Sequence, residues 1–415
     1  MKVLVVGSGG REHAIVWKLA QSPRVEKLYC APGNGGIGDI AECIPVNALD
    51  VEGMVKAAKD KKVDLVMVAP DDPLAKGMVN AMADAGIRVF GPTKEAALIE
   101  SSKAFSKSLM KKYGIPTADY ALFDDSVKAK EYIENRNYPL VVKADGLALG
   151  KGVIICQNQQ EARDAIVNIM EKGQFGDSGR QIVIEEFLTG PEVTILAFTD
   201  GKTIVPMVSS QDHKRALDGN KGLNTGGMGT ISPNRFYTPE IARICMEKIF
   251  KPTIDAMNAE GRTFKGVLYF GLMLTDKGPM VIEYNARFGD PEAQVVLPRL
   301  KTDLLDIFDA IIDERLDQIN IEWDDNACVC VIMASGGYPE SYRKGYEIFG
   351  LDKASGVVIF HAGTKKENGR YYTNGGRVLG ITAMDETVEM ARARAYQAVS
   401  GIHFQDAHYR KDIGG

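Results

Sequence analysis

Short apolar runs alternate with stretches of helical spacing through the first hundred positions. The runs at 3–6, 27–30, 65–68 and 88–90 read as strands, and 11–21, 51–61 and 74–85 place apolar residues on one helical face. Strands alternating with helices predict a parallel sheet covered on both faces, closed by Gly91-Pro92. Ser101 and Ser102 offer an N-cap for a helix running to about 113, where Gly114 stops it. The pattern then changes. Strands at 140–143, 153–156 and 182–186 flank a helix at 159–170, with glycine-rich connections that predict hairpins and a flexible flap. A helix at 239–259 precedes strands at 266–274 and 280–284, joined by the tight turn Thr275-Asp276-Lys277-Gly278. Helical segments follow at 291–297 and 303–313. A third unit begins with a strand at 328–333, adds strands at 357–360, 371–373 and 377–382, and ends on a helix at 386–400.

The 415 residues suit several domains, expected at 1–100, 101–325 (with a flap at about 120–190) and 326–415. Lys and Arg number 50 against 55 Asp and Glu, a net charge of −5, so the basic surface of a nucleic-acid binder is not expected. No apolar run approaches the ~18 residues that span a bilayer. The opening residues MKVLVV read as a buried strand, not a signal-peptide core. Six scattered cysteines without a C-x-x-C pair disfavour a disulfide framework or a zinc ribbon, and no H-E-x-x-H occurs. The expectation is a cytoplasmic protein with no membrane or nucleic-acid partner.

Candidate chemistry begins at Gly7-Ser8-Gly9-Gly10-Arg11-Glu12-His13. A glycine loop between strand and helix lets backbone N–H groups approach a phosphate, and Arg11 adds a cation. A dinucleotide fingerprint would need glycine at position 12 and an acidic residue after the second strand; neither is present. Lys143 stands at a strand edge before Ala144-Asp145-Gly146-Leu147-Ala148-Leu149-Gly150-Lys151-Gly152. Gly146, Gly150, Gly152 and Lys151 in one hairpin suit a flap closing over polyphosphate, with Lys143 on the phosphates. It is not a Walker A loop. The strand ending Glu185-Glu186-Phe187-Leu188 offers backbone groups and an apolar lid to a flat base, and Glu192 can accept from ribose hydroxyls.

In Glu283-Tyr284-Asn285-Ala286-Arg287-Phe288-Gly289-Asp290, Glu283 and Asn285 share one strand face. Two oxygen ligands completed by phosphate suit Mg2+. Arg287 continues that face toward an anion. Asp212 and Lys214 belong to a polar run, and Asn224, Thr225, Gly226, Gly227 and Met228 form a loop that reads equally as substrate donors or as mobile surface. No Ser/His/Asp or Cys/His nucleophile stands out. On these residues alone, a non-catalytic nucleotide-binding module stays open.

In the order strand lysine, glycine flap, Glu-Glu strand end and Glu-x-Asn, the chain resembles the ATP-grasp superfamily. Ser102-Lys103-Ala104-Phe105, the 143–153 flap, 224–229 and 287–292 resemble the glycinamide ribonucleotide synthetases within it. So do Gly337-Tyr338-Pro339, 360–364 and 375–379. The resemblance covers essentially the whole chain. It implies an α/β fold with a Rossmann-like N-terminal domain, an ATP-grasp core with a mobile flap subdomain, and a small C-terminal α+β domain. It implies a monomer that joins glycine to 5-phosphoribosylamine in purine biosynthesis, using ATP with Mg2+ or Mn2+, through glycyl phosphate. On this resemblance Lys103 and Lys143 bind phosphates, Glu185, Glu186, Phe187 and Leu188 border adenine, and Glu192 meets the ribose. Glu283 and Asn285 hold the metal. Gly9, Gly10, Arg11, Asp71, Lys214 and residues 224–228 face the substrates, and Arg287, Asp212 and Asp290 serve catalysis. Three positions depart from the family pattern: Asp71 replaces a glutamate, Pro191 stands before Glu192, and the strand before Glu283 carries no carboxylate.

Overall fold

The computed structural model describes residues 1–148 and 152–415. Five parallel strands form the first sheet: β1 (Lys2–Gly7), β2 (Lys27–Pro32), β3 (Glu42–Cys43), β4 (Leu65–Val68) and β5 (Val89–Phe90), in the order β3-β2-β1-β4-β5. β1 and β4 are buried throughout apart from Lys2, as expected of strands with helices on both faces. The order reverses between β1 and β4, where such sheets open a crevice at their carboxyl ends. The first turns of the helices after these two strands carry Arg11 and Asp71. The helix expected at 74–85 is two helices, Asp71–Ala75 and Met78–Asp84, because Gly77 at φ 84° breaks it.

The second sheet comprises β6 (Tyr120–Phe123), β7 (Leu140–Ala144), β8 (Val153–Cys156) and β9 (Ile182–Glu186), in the order β6-β9-β7-β8. It buries its own core, with Val142, Ile182 and Ile184 against Ile133, Ile166 and Ile169 of the covering helical segments. A separate core lets this subdomain move as a unit.

β10 (Glu192–Thr199) and β11 (Ile204–Pro206) follow. The chain then runs through β12 (Gln211–Asp212), the hairpin β13 (Arg215–Leu217) and β14 (Lys221–Asn224), and β15 (Gly229–Ser232). β16 (Gly266–Thr275) and β17 (Gly278–Asn285) complete an antiparallel sheet ordered β11-β10-β16-β17. The turn between them is the one the sequence predicts. Gly271 pairs with Glu283 and Leu272 with Val281, so Ile282 is a bulged residue.

β18 (Ala327–Ala334) opens the last unit, and its sheet crosses the boundary expected at 325/326. The order is β12-β15-β18-β23-β20, with β20 at Val358–His361 and β23 at Arg377–Asp385. A small sheet of β19 (Glu347–Ile348), β21 (Thr364–Glu367) and β22 (Arg370–Thr373) lies beside it. One apolar core joins Val3 and Val5 of β1, Ile15, Val296, Phe308, Cys330 and Phe360. The first and last units are therefore fused through helix Ala293–Arg299 rather than linked by a tether. Among the described residues no helix is long and apolar enough to cross a membrane.

Candidate active site

A cavity of about 980 Å³ opens where the flap sheet, the central sheet, the first sheet's crevice and the last unit meet. Its size and convergent polar groups suit a nucleotide with further substrates.

The flap side is built on three lysines. Lys103 and Lys107 sit four residues apart on helix Lys103–Tyr113, hence on one face, and Lys143 reaches in from β7. Ser102 caps the helix, and its hydroxyl donates to Asp145, whose carboxylate also accepts from Ala104 N at 2.6 Å. The carbonyl of Gly146 accepts from Lys103 at 3.0 Å, so Asp145 and Gly146 tie the flap's base to the helix start. Glu185, fully inside, bridges Lys107 at 3.1 Å and Lys143 at 3.0 Å. Lys143 also donates to the carbonyl of the bulged Ile282 at 3.2 Å, a direct link from flap to central sheet. Burial pushes Lys107 down to about 8. Glu186, Phe187 and Leu188 reach the cavity edge, with Phe187 exposed beside the nearly buried Glu185.

On the central sheet, Glu283 and Asn285 share the cleft face of β17, as their spacing predicts. Lys214, 3.2 Å away, holds the Glu283 carboxyl down to about 2 against burial, and Glu283 in turn raises Lys214. Glu192 lies 3.9 Å from the same lysine. Asn285 turns its amide nitrogen onto Glu100 at 2.9 Å and the Tyr284 carbonyl at 3.2 Å, which directs its oxygen away from these acceptors. Glu100 is buried on helix Lys94–Ser101 and also accepts from Ala286 N at 2.7 Å and Arg287 at 2.8 Å. Arg287 is thus clamped by Glu100, with Asp71 3.8 Å away, and is not a free anion hook.

Two oxygen donors, one anionic, fit a hard divalent cation that takes its remaining ligands from phosphate and water. Among the described residues no group of three or more His, Cys, Asp or Glu is placed to hold a metal, in line with the missing carboxylate on β16.

The third side is acidic and basic by turns. Asp212 Oδ1 is buried without a hydrogen-bond partner among the described residues. Burial first, and then the nearby Glu292 carboxylate, raise the Asp212 carboxyl, and burial raises Glu292. Burial opposes ionisation of Asp290, yet Arg377 and Arg11 lower it; Arg377 lies 3.3 Å away and Gln294 donates at 2.8 Å. Arg377 also donates to the carbonyls of Gly226 and Asp290, and Gly226 N donates to Tyr338 at 3.0 Å. Gly226 is thus tied on both sides, to Tyr338 and to Arg377. Gly227 (φ 112°) passes so close that a Cβ would stand 2.4 Å from Pro291 and 2.6 Å from Asp212.

Asn224, Thr225 and Gly226 line the cavity with Lys214, Arg11 and Asp71. Met228 does not: it is wholly buried, and its backbone bonds to His213 and Ile332. Gly9 and Gly10 also stand behind the wall. Gly9 N donates to Glu12 at 2.5 Å and Arg11 N contacts Asp290 at 3.4 Å, so the protein's own carboxylates occupy the helix start expected to meet a phosphate. Gly146 turns against Ser178, whereas Gly152 lies on the wall. Gly150 and Lys151 lie outside the described residues.

Sequence reading missed Glu100, Lys107, Tyr269, Glu292, Tyr338 and Arg377. Lys107 was recoverable, being one helical turn from Lys103. Glu100 also left a trace, as a charge in line with buried Ala96 and Ala97. Tyr338 and Arg377 stand within segments that carry the family resemblance, 337–339 and 375–379, and it is the fold that brings them to the cleft.

Residues 1–100, 101–293 and 328–415 match the N, ATP-grasp (A) and C domains of phosphoribosylglycinamide synthetase. The chain is 50% identical over 415 residues to phosphoribosylamine–glycine ligase of Clostridium acetobutylicum, covering 100% of this chain and 99% of that protein. It is 48% identical over 413 residues to the enzyme of that name from Caldanaerobacter subterraneus, covering 100% and 99%. The crystal structure of phosphoribosylamine–glycine ligase from Thermotoga maritima superposes with a TM-score of 0.84 at 34% identity over the whole of both chains. Biotin carboxylase of Campylobacter jejuni shares the fold alone, with a TM-score of 0.74 at 14% identity over 100% of this chain and 94% of that one. The chain belongs to the phosphoribosylglycinamide synthetase family.

Proposed function

We propose that this protein uses ATP to join glycine to 5-phosphoribosylamine, giving glycinamide ribonucleotide, ADP and phosphate in purine biosynthesis. The carrying observation is the lysine-rich flap side of the cavity facing Glu283 and Asn285 on the central sheet, in a chain that matches this family from end to end. The units act as an N-terminal domain (1–100), an ATP-grasp core (101–325, flap about 120–190) and a C-terminal domain (326–415). The last of these borrows β12 and β15. The protein works as a cytoplasmic monomer.

The base of ATP enters at 185–188 with its ribose near Glu192, and the phosphates run toward Lys103 and Lys143. Glu283 and Asn285 hold a divalent ion, Mg2+ or Mn2+. When bound, that ion neutralises phosphate charge and draws electron density from the transferring phosphorus. Glycine's carboxylate is a poor acyl donor; taking the γ-phosphoryl group makes glycyl phosphate and releases ADP. The ribosylamine nitrogen then attacks the carbonyl carbon, the C–N bond forms and the C–O bond to phosphate breaks. The amine proton needs an acceptor, and the Asp212 carboxylate, whose buried Oδ1 has no hydrogen-bond partner among the described residues, supplies one when ionised. Asp290, lowered by Arg377 and Arg11, stays ionised and braces the 224–226 loop through Arg377. Arg287, pinned by Glu100, presents fixed positive charge where anionic groups converge. Closing the flap keeps water from the acyl phosphate.

The test is ADP release with each substrate withheld in turn. The proposal expects sustained ADP release to need both glycine and phosphoribosylamine; sustained release with neither would overturn it.

A further inference from the structure

The hairpin β13–β14 carries the substrate edge of the cleft at its base. Lys214 precedes it, Arg215 pairs with Asn224, and Thr225 and Gly226 follow. It is a two-stranded sheet of its own, and such a hairpin is marginally stable in isolation. Packing does little for it, since Leu217 and Leu223 are 49% and 52% exposed.

What holds it is the segment 408–412. Arg410, at 1% exposure one of the largest fully buried side chains, forks onto both oxygens of Asp412 at 2.7 and 2.8 Å and donates to the Arg215 carbonyl at 3.1 Å. Asp412 accepts from Gly219 N at 2.8 Å, and Asp218 accepts from Lys411 N at 2.8 Å. The register slips at Ala216, and its carbonyl lies 2.7 Å from His408 Nε2. Tyr396 anchors the segment from behind by donating to the Arg410 carbonyl at 2.7 Å. Four successive grips thus run from the base of the hairpin to its turn.

We propose that Arg410 and Asp412 are positioning residues for the acceptor side of the reaction. By fixing the Arg215 carbonyl they set Lys214 and Asn224 on the cleft wall, with no part in nucleotide binding. This rests on the ligase reading above. A fork of this kind is specific to arginine, because lysine offers one charged point and cannot hold Asp412 and a carbonyl at fixed angles.

The experiment compares Arg410→Met, Arg410→Lys and Asp412→Asn with the unaltered protein. Two readouts are taken: KM for ATP, glycine and phosphoribosylamine, and amide hydrogen exchange without substrates. Losing charge-assisted hydrogen bonds should raise KM for glycine or phosphoribosylamine at least about tenfold, with KM for ATP within about twofold. Exchange should quicken across 213–226 and stay unchanged in β7 and β8. Arg410→Lys should fall between the unaltered protein and Arg410→Met. If Arg410→Met does not fold, Asp412→Asn, whose side chain is 35% exposed, decides alone. Equal rises in all three KM values, or unchanged KM values, would overturn the proposal. An unaltered protein that releases ADP without either acceptor substrate would instead overturn the ligase reading. The exchange comparison, read without substrates, separates the two failures.

Discussion

Replacing Glu100 by glutamine tests whether the carboxylate that holds the Asn285 amide shapes the proposed cation site. Three donors converge on its carboxylate: Ala286 N at 2.7 Å, Arg287 at 2.8 Å and the Asn285 amide at 2.9 Å. Glutamine keeps one acceptor, which the backbone N–H of Ala286 retains. Its new NH2 then faces the Arg287 guanidinium and the Asn285 amide, donor against donor. Asn285 relieves the clash by turning over, which brings its own NH2 to the side where its oxygen would meet the proposed cation. A hydrogen bond to a charged group contributes about 1.5–3 kcal/mol, so divalent-ion affinity should fall roughly 10- to 150-fold. Arg287 keeps Asp71 at 3.8 Å and the Phe288 carbonyl at 3.3 Å but loses its shortest ion pair, so thermal stability should fall too, by less than the about 3–5 kcal/mol of a fully broken buried pair. The assay is Mn2+ binding by electron paramagnetic resonance beside a non-hydrolysable ATP analogue, with the melting temperature recorded. Adding Asn285→Asp to Glu100→Gln exchanges acceptor and donor across the contact. That double variant should recover most of the Mn2+ affinity. Affinity within twofold of the original in Glu100→Gln, or no recovery in the double variant, would refute the reasoning.

Lys143→Met removes the cation shared by Glu185 and the Ile282 carbonyl; ATP affinity measured by calorimetry should weaken roughly 10- to 150-fold, and an unchanged Kd would exclude Lys143 from the phosphate site. Gly146→Ala drives a Cβ to 2.4 Å from the Ser178 hydroxyl and 3.1 Å from its Cα; the flap's base must shift, so KM for ATP should rise while binding of glycine is spared, as steady-state kinetics will show. Burial, aided by His361, lowers His13 to about 3, and burial lowers His361 to about 4, whereas both titrate near 6.5 when unfolded. The unfolded chain therefore takes up protons first, and stability present above pH 6.5 is lost as pH falls toward 4, at about 1.4 kcal/mol per pH unit for each histidine. Denaturant titrations between pH 7 and 5 should show a shallower slope for His13→Asn; an identical slope would exclude His13 as a contributor.

What the sequence made legible follows its periodicities. β1, β4 and β16 are built on apolar runs, and β7, β9 and β17 on shorter ones that end in Lys143, Glu185 and Glu283; the structure places all six where that pattern predicts. β10 has no counterpart in the sequence reading: Glu192 and Thr194 interrupt its start, although Asp200-Gly201 closes it with a turn. Glu283 and Asn285 were found because they lie two apart on one strand. The same logic brings Arg287 to the cavity but not its partner Glu100, which is remote in sequence. The glycine loop misled for a related reason. Glycine marks a close backbone approach without saying what approaches, and here Glu12 and Asp290 fill the place expected for a ligand phosphate. The hairpin at 215–224 has no counterpart in the sequence reading, because its restraints lie some two hundred residues downstream.

The central claim is that an acid becomes acylating by taking phosphate from ATP. The direct test uses glycine carrying oxygen-18 in its carboxylate, with ATP and phosphoribosylamine, and mass analysis of the phosphate released. The account predicts one labelled oxygen in each phosphate, carried over when the amine displaces it from the acyl carbon. Unlabelled phosphate alongside full product formation would contradict it.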